Sequence, residues 1–196
     1  MTTCANAKIS AHSSSGWLRN YYFTRFVFSA LWVAAALLLA KNVPTLAAIM
    51  LVGYPAWDAL ANFIDARRSG GLGRNKPQML NLVVSFLTTL AVAATLGTSM
   101  NNILLIFGVW AGFSGILQLA TSVRRWRSVG AQWVMILSGA QSALAGVFMV
   151  GRAYGPDPAG IISVAPYAAF GAFYFLISAI WLTIADLRQG SPRAAG

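Results

Sequence analysis

The amino-acid sequence predicts an all-α integral membrane protein, with six transmembrane helices arranged as three parallel helical hairpins and both termini in the cytoplasm. Three observations carry this prediction. The chain of 196 residues is 58% hydrophobic and only 9% charged, whereas soluble domains are about a quarter charged. The apolar residues gather into six runs, each near the ~20 residues that cross roughly 30 Å of hydrocarbon. The basic residues cluster between those runs, as topology and anionic headgroups require, and form no continuous basic face with stacking aromatics of the kind nucleic acid needs.

Residues 1–16 are small and polar and contain no apolar stretch, so the sequence predicts an irregular cytoplasmic tail and no signal peptide. Trp17, Tyr21, Tyr22 and Phe23 then alternate with Arg19 and Arg25, the mixture expected at a membrane–water boundary. A single membrane domain over 17–187 follows, with helices near 24–40, 45–64, 79–96, 103–121, 132–150 and 161–185, and a cytoplasmic tail over 188–196. Helix is the form expected of each run, because lipid offers no partner to backbone N–H and C=O groups. Pro77 starts the third helix where a missing N–H costs least.

The connections alternate in charge. Those near Lys41–Pro44, Gly97–Asn102 and Gly151–Gly160 contribute only Lys41 and Arg152, while the other side carries the remaining twelve of the fourteen basic residues. By the positive-inside rule that side is cytoplasmic. The even helices end alike, at Asp65-Ala66-Arg67, Ser122-Val123-Arg124 and Asp186-Leu187-Arg188. Every hairpin thus starts and finishes on the same side, which makes the repeats parallel, unlike the inverted repeats of many transporters. Aligning those ends matches Asp58 with Gly115 and Ala179, and Trp57 with Ser114 and Ser178.

The second helix is the unusual one. Asp58 is the one acid placed well inside an apolar run, and Tyr54, Asp58, Asn62 and Asp65 recur at spacings that share a helix face. Gly and Ala at the positions matching Asp58 are residues that let membrane helices approach closely, so Asp58 is expected to face the bundle. Pro55 frees the carbonyl of Leu51 and is expected to kink the helix, leaving a place for a water or cation. A charge at mid-membrane costs a few kcal/mol and needs a partner. Arg25 is the first candidate by depth, with Gln118, Asn81 and Gln141 as further hydrogen-bonding groups. Two readings follow: a clamp between helices, or a proton- or cation-responsive site. Polar stripes at Asn81/Ser85/Thr88, Ser114/Gln118/Ser122 and Tyr167/Tyr174/Ser178 read as inter-helix packing. Gly108, Gly112 and Gly115, with Ser138, Ser142 and Gly146, are small residues at close-packing spacing, within the bundle or between protomers.

Other chemistry finds little support. One cysteine, Cys4, excludes an internal disulfide, and one histidine, His12, leaves no ordinary metal site. The stretch Ser69–Lys76 is similar to a phosphate cradle but lacks the GK[ST] ending and a preceding strand, so it reads as a flexible, headgroup-binding linker. The chain has no glutamate and no catalytic pair or triad, which points to no enzymatic activity, no metal and no cofactor.

The runs Tyr21–Phe26 into Ser29–Trp32, and Phe107–Ile116, together with the three hairpins, resemble the HdeD-type acid-resistance membrane proteins, bacterial proteins built from short repeated hairpins of unknown function. The resemblance covers about 17–187. It implies a bacterial inner-membrane location and, for some members, a link to acid stress, and it supplies no catalytic residues. The expectation is a non-enzymatic, stress-protective membrane protein. The alternatives are a small proton- or cation-coupled transporter or channel working through Asp58, and an accessory subunit or homo-oligomer packing through its glycine faces.

Overall fold

A computed structural model describes residues 2–127 and 132–190, with side chains from Gly16 onward and ending at Arg188. Among these residues there is no strand. The six helices are α1 (Thr2–Leu38), α2 (Pro44–Arg68), α3 (Lys76–Thr95), α4 (Met100–Arg125), α5 (Gln132–Ala153) and α6 (Ala165–Gly190). Each contains or adjoins a span long and apolar enough to cross a membrane, from Gly16–Leu38 in α1 to Ile161–Arg188 around α6. Large apolar side chains such as Leu31, Ile49, Phe86, Ile116, Phe148 and Ile180 cover the outside of the bundle. A soluble protein does not expose so much apolar surface, whereas lipid receives it without cost.

Local chemistry accounts for the helix starts. Proline occupies the first turn of α2 and α3, where its missing N–H would have no intrahelical partner. The Ser99 hydroxyl accepts from the Asn102 N–H at 3.3 Å and caps α4.

The six helices close into a ring, each touching its neighbours in sequence, with α1 against α6 completing the circle. The tightest pairs are α4–α5, α1–α6 and α2–α3, whereas α1 and α2 touch only lightly. The closest pairs cut across the three consecutive hairpins that the sequence repeat marks, α1–α2, α3–α4 and α5–α6. Side-chain size explains the difference. A Cβ added at Gly115 would lie 2.5 Å from the Ala143 N and 2.6 Å from the Gly139 O, and one at Gly146 would lie 2.5 Å from the Gly112 N. Only glycine permits that approach of α4 to α5. Between α1 and α2, by contrast, Phe28 stacks on Trp57 at 4.5 Å and Trp32 leans on Tyr54 at 5.0 Å, and these rings hold the two helices apart.

Two other expectations change. The chain is helical from Thr2, so α1 runs back through the tail expected to be irregular; a helix already nucleated extends at little cost per residue. The Ser69–Lys76 linker is tied down. Gly70 and Gly71 take φ of 98° and 92°, a region that favours glycine. Asn75 Nδ2 donates to the carbonyls of Ser69 and Gly71, each at 2.8 Å, and Arg124 reaches from α4 to the Arg74 carbonyl at 3.0 Å, to Asn75 Oδ1 and to Gln78 Oε1. Backbone carbonyls that a loose loop would show to water are here bound by side chains. The C-terminal tail lies beyond the described residues from 191 onward.

Candidate functional site

The six spans place a polar side chain or a cavity-lining aromatic at mid-depth. Arg25 and Asp58 each stand two residues from the midpoints of Gly16–Leu38 and Pro44–Arg68, about 3 Å along the axis at ~1.5 Å per residue. Ser85, Ser114, Ser142 and Tyr174 lie closer still to the midpoints of the other four spans. The ring brings this layer together around Asp58, which is only 7% exposed.

The Asp58 carboxylate takes donors from three sources. Arg25 Nη2 of α1 donates to Oδ1. On Oδ2, Asn62 Nδ2, one turn along the same helix, donates at 2.9 Å and the Ser85 hydroxyl of α3 at 2.8 Å. Ser85 in turn accepts the Trp110 indole N–H of α4 at 2.9 Å. Arg25 also donates to the Tyr21 hydroxyl at 3.1 Å and lies 4.4 Å over the Phe175 ring of α6. One buried ion pair thereby ties five helices, α1, α2, α3, α4 and α6. The carboxylate's capacity is met by charged and neutral donors, the condition under which a buried pair is tolerated.

A second pair lies nearer the basic end. Arg125 of α4 holds Asp65 of α2 at 3.1 Å, and Gln78 Nε2 of α3 donates to the same carboxylate at 3.3 Å. A third joins Arg19 to Asp186 at 3.2 Å, and Arg152 stands 4.0 Å from Asp157 on the opposite end. Each of the four carboxylates in the chain thus meets an arginine.

Between these groups is a cavity of about 90 Å³, enough for a few waters. It runs from Asp65, Arg125 and Gln132 at the basic end, past Gln118, to Arg25, Asp58 and Gln141 near mid-span. At the far end from the basic cluster it is lined by Tyr54, Trp110 and Tyr167, three rings meeting edge-on with centroids 5.7 to 6.4 Å apart. Beyond them the opposite half of the ring is filled by Trp32, Leu51, Val92, Leu104, Phe107 and Val164. The interior is therefore polar on the basic side and dry on the other.

All six residues singled out on sequence grounds, Arg25, Tyr54, Asp58, Asn62, Asp65 and Gln118, line this vestibule. Gln118 does not bond to Asp58; its Nε2 donates to the Met135 carbonyl of α5 at 3.1 Å. Leu51 packs in the apolar core and does not line the cavity, so its carbonyl is not the expected water or cation seat. The helix runs unbroken through Pro55. Among the packing residues, Gly108, Gly115 and Gly146 form the α4–α5 seam, with the Gly112 backbone facing Gly146. Ser142 donates to the Ala111 carbonyl at 3.0 Å, and Ser138 turns to the vestibule. The seam lies inside one chain.

Four contributors escaped the sequence reading: Trp110, Arg125, Gln78 and Gly139. A tryptophan in mid-span with an N–H to satisfy was the available signal for Trp110. The Ser85 and Asn81 stripe, read as packing, holds Asp58 and the Ser114 hydroxyl, the latter at 2.8 Å.

Comparison with known proteins gives one family match. The family model for a short repeat of unknown function (DUF308) matches residues 80–151, which covers most of α3, all of α4 and most of α5. No curated protein and no solved structure matches the chain.

Proposed function

We propose that this is a non-enzymatic protein of the bacterial inner membrane, with both termini cytoplasmic, whose vestibule admits water and small polar solutes as far as the Arg25–Asp58 pair. In this reading the pair is a protonation-responsive gate. The observation that carries it is the cavity itself, lined by polar groups from the basic end to an ion pair near mid-span, with aromatic rings and an apolar core beyond. A clamp alone needs no cavity and would be better filled by side chains.

The orientation rests on the basic asymmetry. Contacts such as Arg19–Asp186, Arg125–Asp65 and Arg124–Gln78 gather the basic helix ends at one end of the bundle, where anionic headgroups would complement them. The matched family includes HdeD-type membrane proteins, and protection against acid is the physiological setting that this resemblance suggests. The accessory-subunit reading loses its main support, because the glycine faces are consumed inside the bundle.

The test compares Asp58→Asn and Asp58→Leu with the parent for survival at low pH and for abundance in the membrane, and compares proton entry into proteoliposomes under an imposed pH step. The expected result is normal abundance of Asp58→Asn with altered survival and flux. Unchanged survival and flux at normal abundance would leave only the clamp.

A further inference from the structure

The light contact between α1 and α2 leaves a second space, of about 210 Å³. Its walls include Trp17, Asn20 and Thr24 of α1 and Trp57, Ala61 and Ile64 of α2. Asn20, Thr24 and Ile64 are exposed on the outside of the bundle, so they form the rim of a fissure. Its depth follows from the spans. Counted from the midpoints of Gly16–Leu38 and Pro44–Arg68, Asn20 stands about 10 Å, Ile64 about 12 Å and Trp17 about 15 Å toward the basic end, while Trp57 is one residue from mid-span. The half-thickness of hydrocarbon is about 15 Å. The fissure therefore lies at acyl-chain depth and meets lipid on the basic side. An apolar cavity of about 150 Å³ already takes a benzene ring, so this one has room for part of an acyl chain.

Two polar side chains mark its open edge. The α2 face formed by Trp57, Ala61 and Ile64 continues through the last turn of the helix to Arg68, because steps of three and four residues keep one side of a helix. Arg68 stands about 18 Å from mid-span, just outside the hydrocarbon and level with lipid phosphates. It is exposed and makes no hydrogen bond or ion pair among the described residues. The four aspartates of the chain already meet Arg19, Arg25, Arg125 and Arg152, so none of them serves as its counter-ion. On α1, the Asn20 backbone carbonyl accepts from the Thr24 hydroxyl at 2.9 Å, while its carboxamide has no partner among the described residues. An amide facing lipid there needs an acceptor, and the ester carbonyls of a phospholipid lie within its reach. The occupant thus carries a negative charge at phosphate level, an acceptor just below it and an apolar chain beneath. Arg67, Arg74 and Lys76 at the same end disfavour a headgroup with a cation of its own.

We propose that the α1–α2 fissure seats one acyl chain of an anionic phospholipid, whose phosphate pairs with Arg68 and whose ester carbonyl accepts from the Asn20 carboxamide.

The test places the full chain in nanodiscs of phosphatidylcholine with increasing phosphatidylglycerol, then releases it into mild detergent and counts retained lipids by native mass spectrometry. One phosphatidylglycerol should stay bound after the phosphatidylcholine is stripped away. In Arg68→Ala the phosphatidylglycerol content needed for half occupancy should rise about fivefold, the worth of one basic residue at an anionic surface. Arg127→Ala, which removes an exposed charge of the same sign beyond the end of α4, should change nothing. Ala61→Trp fills the fissure and leaves every charge in place, so retention should be lost. If that variant lowers abundance or alters the circular dichroism, Thr24→Trp fills the fissure from the exposed rim and answers instead. Equal retention of both lipids, equal losses in Arg68→Ala and Arg127→Ala, retention undiminished by a filled fissure, or a dimer that forms as lipid leaves would each overturn the proposal.

Discussion

Removing the Asp58 carboxylate should destabilise the bundle far more than removing both members of its ion pair. In Asp58→Leu, Arg25 keeps only the Tyr21 hydroxyl at 3.1 Å and the Phe175 ring, and an unpaired arginine at mid-membrane costs about 2.5–3.5 kcal/mol on insertion scales. Asn62 and Ser85 each lose an acceptor as well, worth about 0.5–1.5 kcal/mol apiece. Part of this is recovered by burying the leucine, so the expected loss is about 3–5 kcal/mol, as for other broken buried pairs. Arg25→Met removes the stranded charge, so the double variant Arg25→Met/Asp58→Leu should lose only about 0–2 kcal/mol. The assay is detergent-driven unfolding in mixed micelles, followed by circular dichroism, for the parent, both single variants and the double. The cycle should give a coupling of at least about 3 kcal/mol in magnitude, because the gap between Asp58→Leu and the double variant already amounts to that before the loss in Arg25→Met is added. A coupling below about 0.5 kcal/mol would refute the reasoning, because the two charges would then be held by water or other groups.

Gly146→Ala should cost about 1–3 kcal/mol in the same unfolding assay, because its Cβ would meet the Gly112 and Gly108 backbones. Gly53→Ala, which meets nothing within 4 Å, should be neutral or stabilising by up to about 1 kcal/mol. Arg124→Ala should speed amide exchange across 71–75 without affecting the core of α3, since the linker loses its two ties to Arg124, at the Arg74 carbonyl and Asn75 Oδ1; exchange read by mass spectrometry decides it. With the termini inside, Cys4 should react with a membrane-impermeant maleimide in inverted vesicles and not in intact spheroplasts, and the reverse pattern would invert the topology.

Which features were legible depended on the range of the interaction behind them. The Tyr54/Asp58/Asn62/Asp65 face was readable because helical periodicity is local, and the same holds for the glycines of α4. Arg25 was readable as a partner because depth in a bilayer can be counted along the chain. Arg125 was hidden because it looked like one more basic residue in a cytoplasmic cluster; only the approach of α4 to α2 sets it on Asp65. Trp110 was hidden because its role depends on Ser85, a residue on another helix. The hairpin repeat describes connectivity, and which neighbours pack closest was not legible, because bulky rings between α1 and α2 and glycines between α4 and α5 decide the distances.

The sequence by itself determined the solvent, the number of spans, the expected orientation of the basic ends and the singular position of Asp58. These follow from composition and period, quantities summed along the chain. The tertiary structure alone decided that the six helices close into a ring, that the ring is polar on one side of mid-span and apolar on the other, and that glycines bring α4 and α5 into the closest contact. Each of these depends on which side chains meet across helices, and that is settled by size and shape at contacts between residues far apart in sequence.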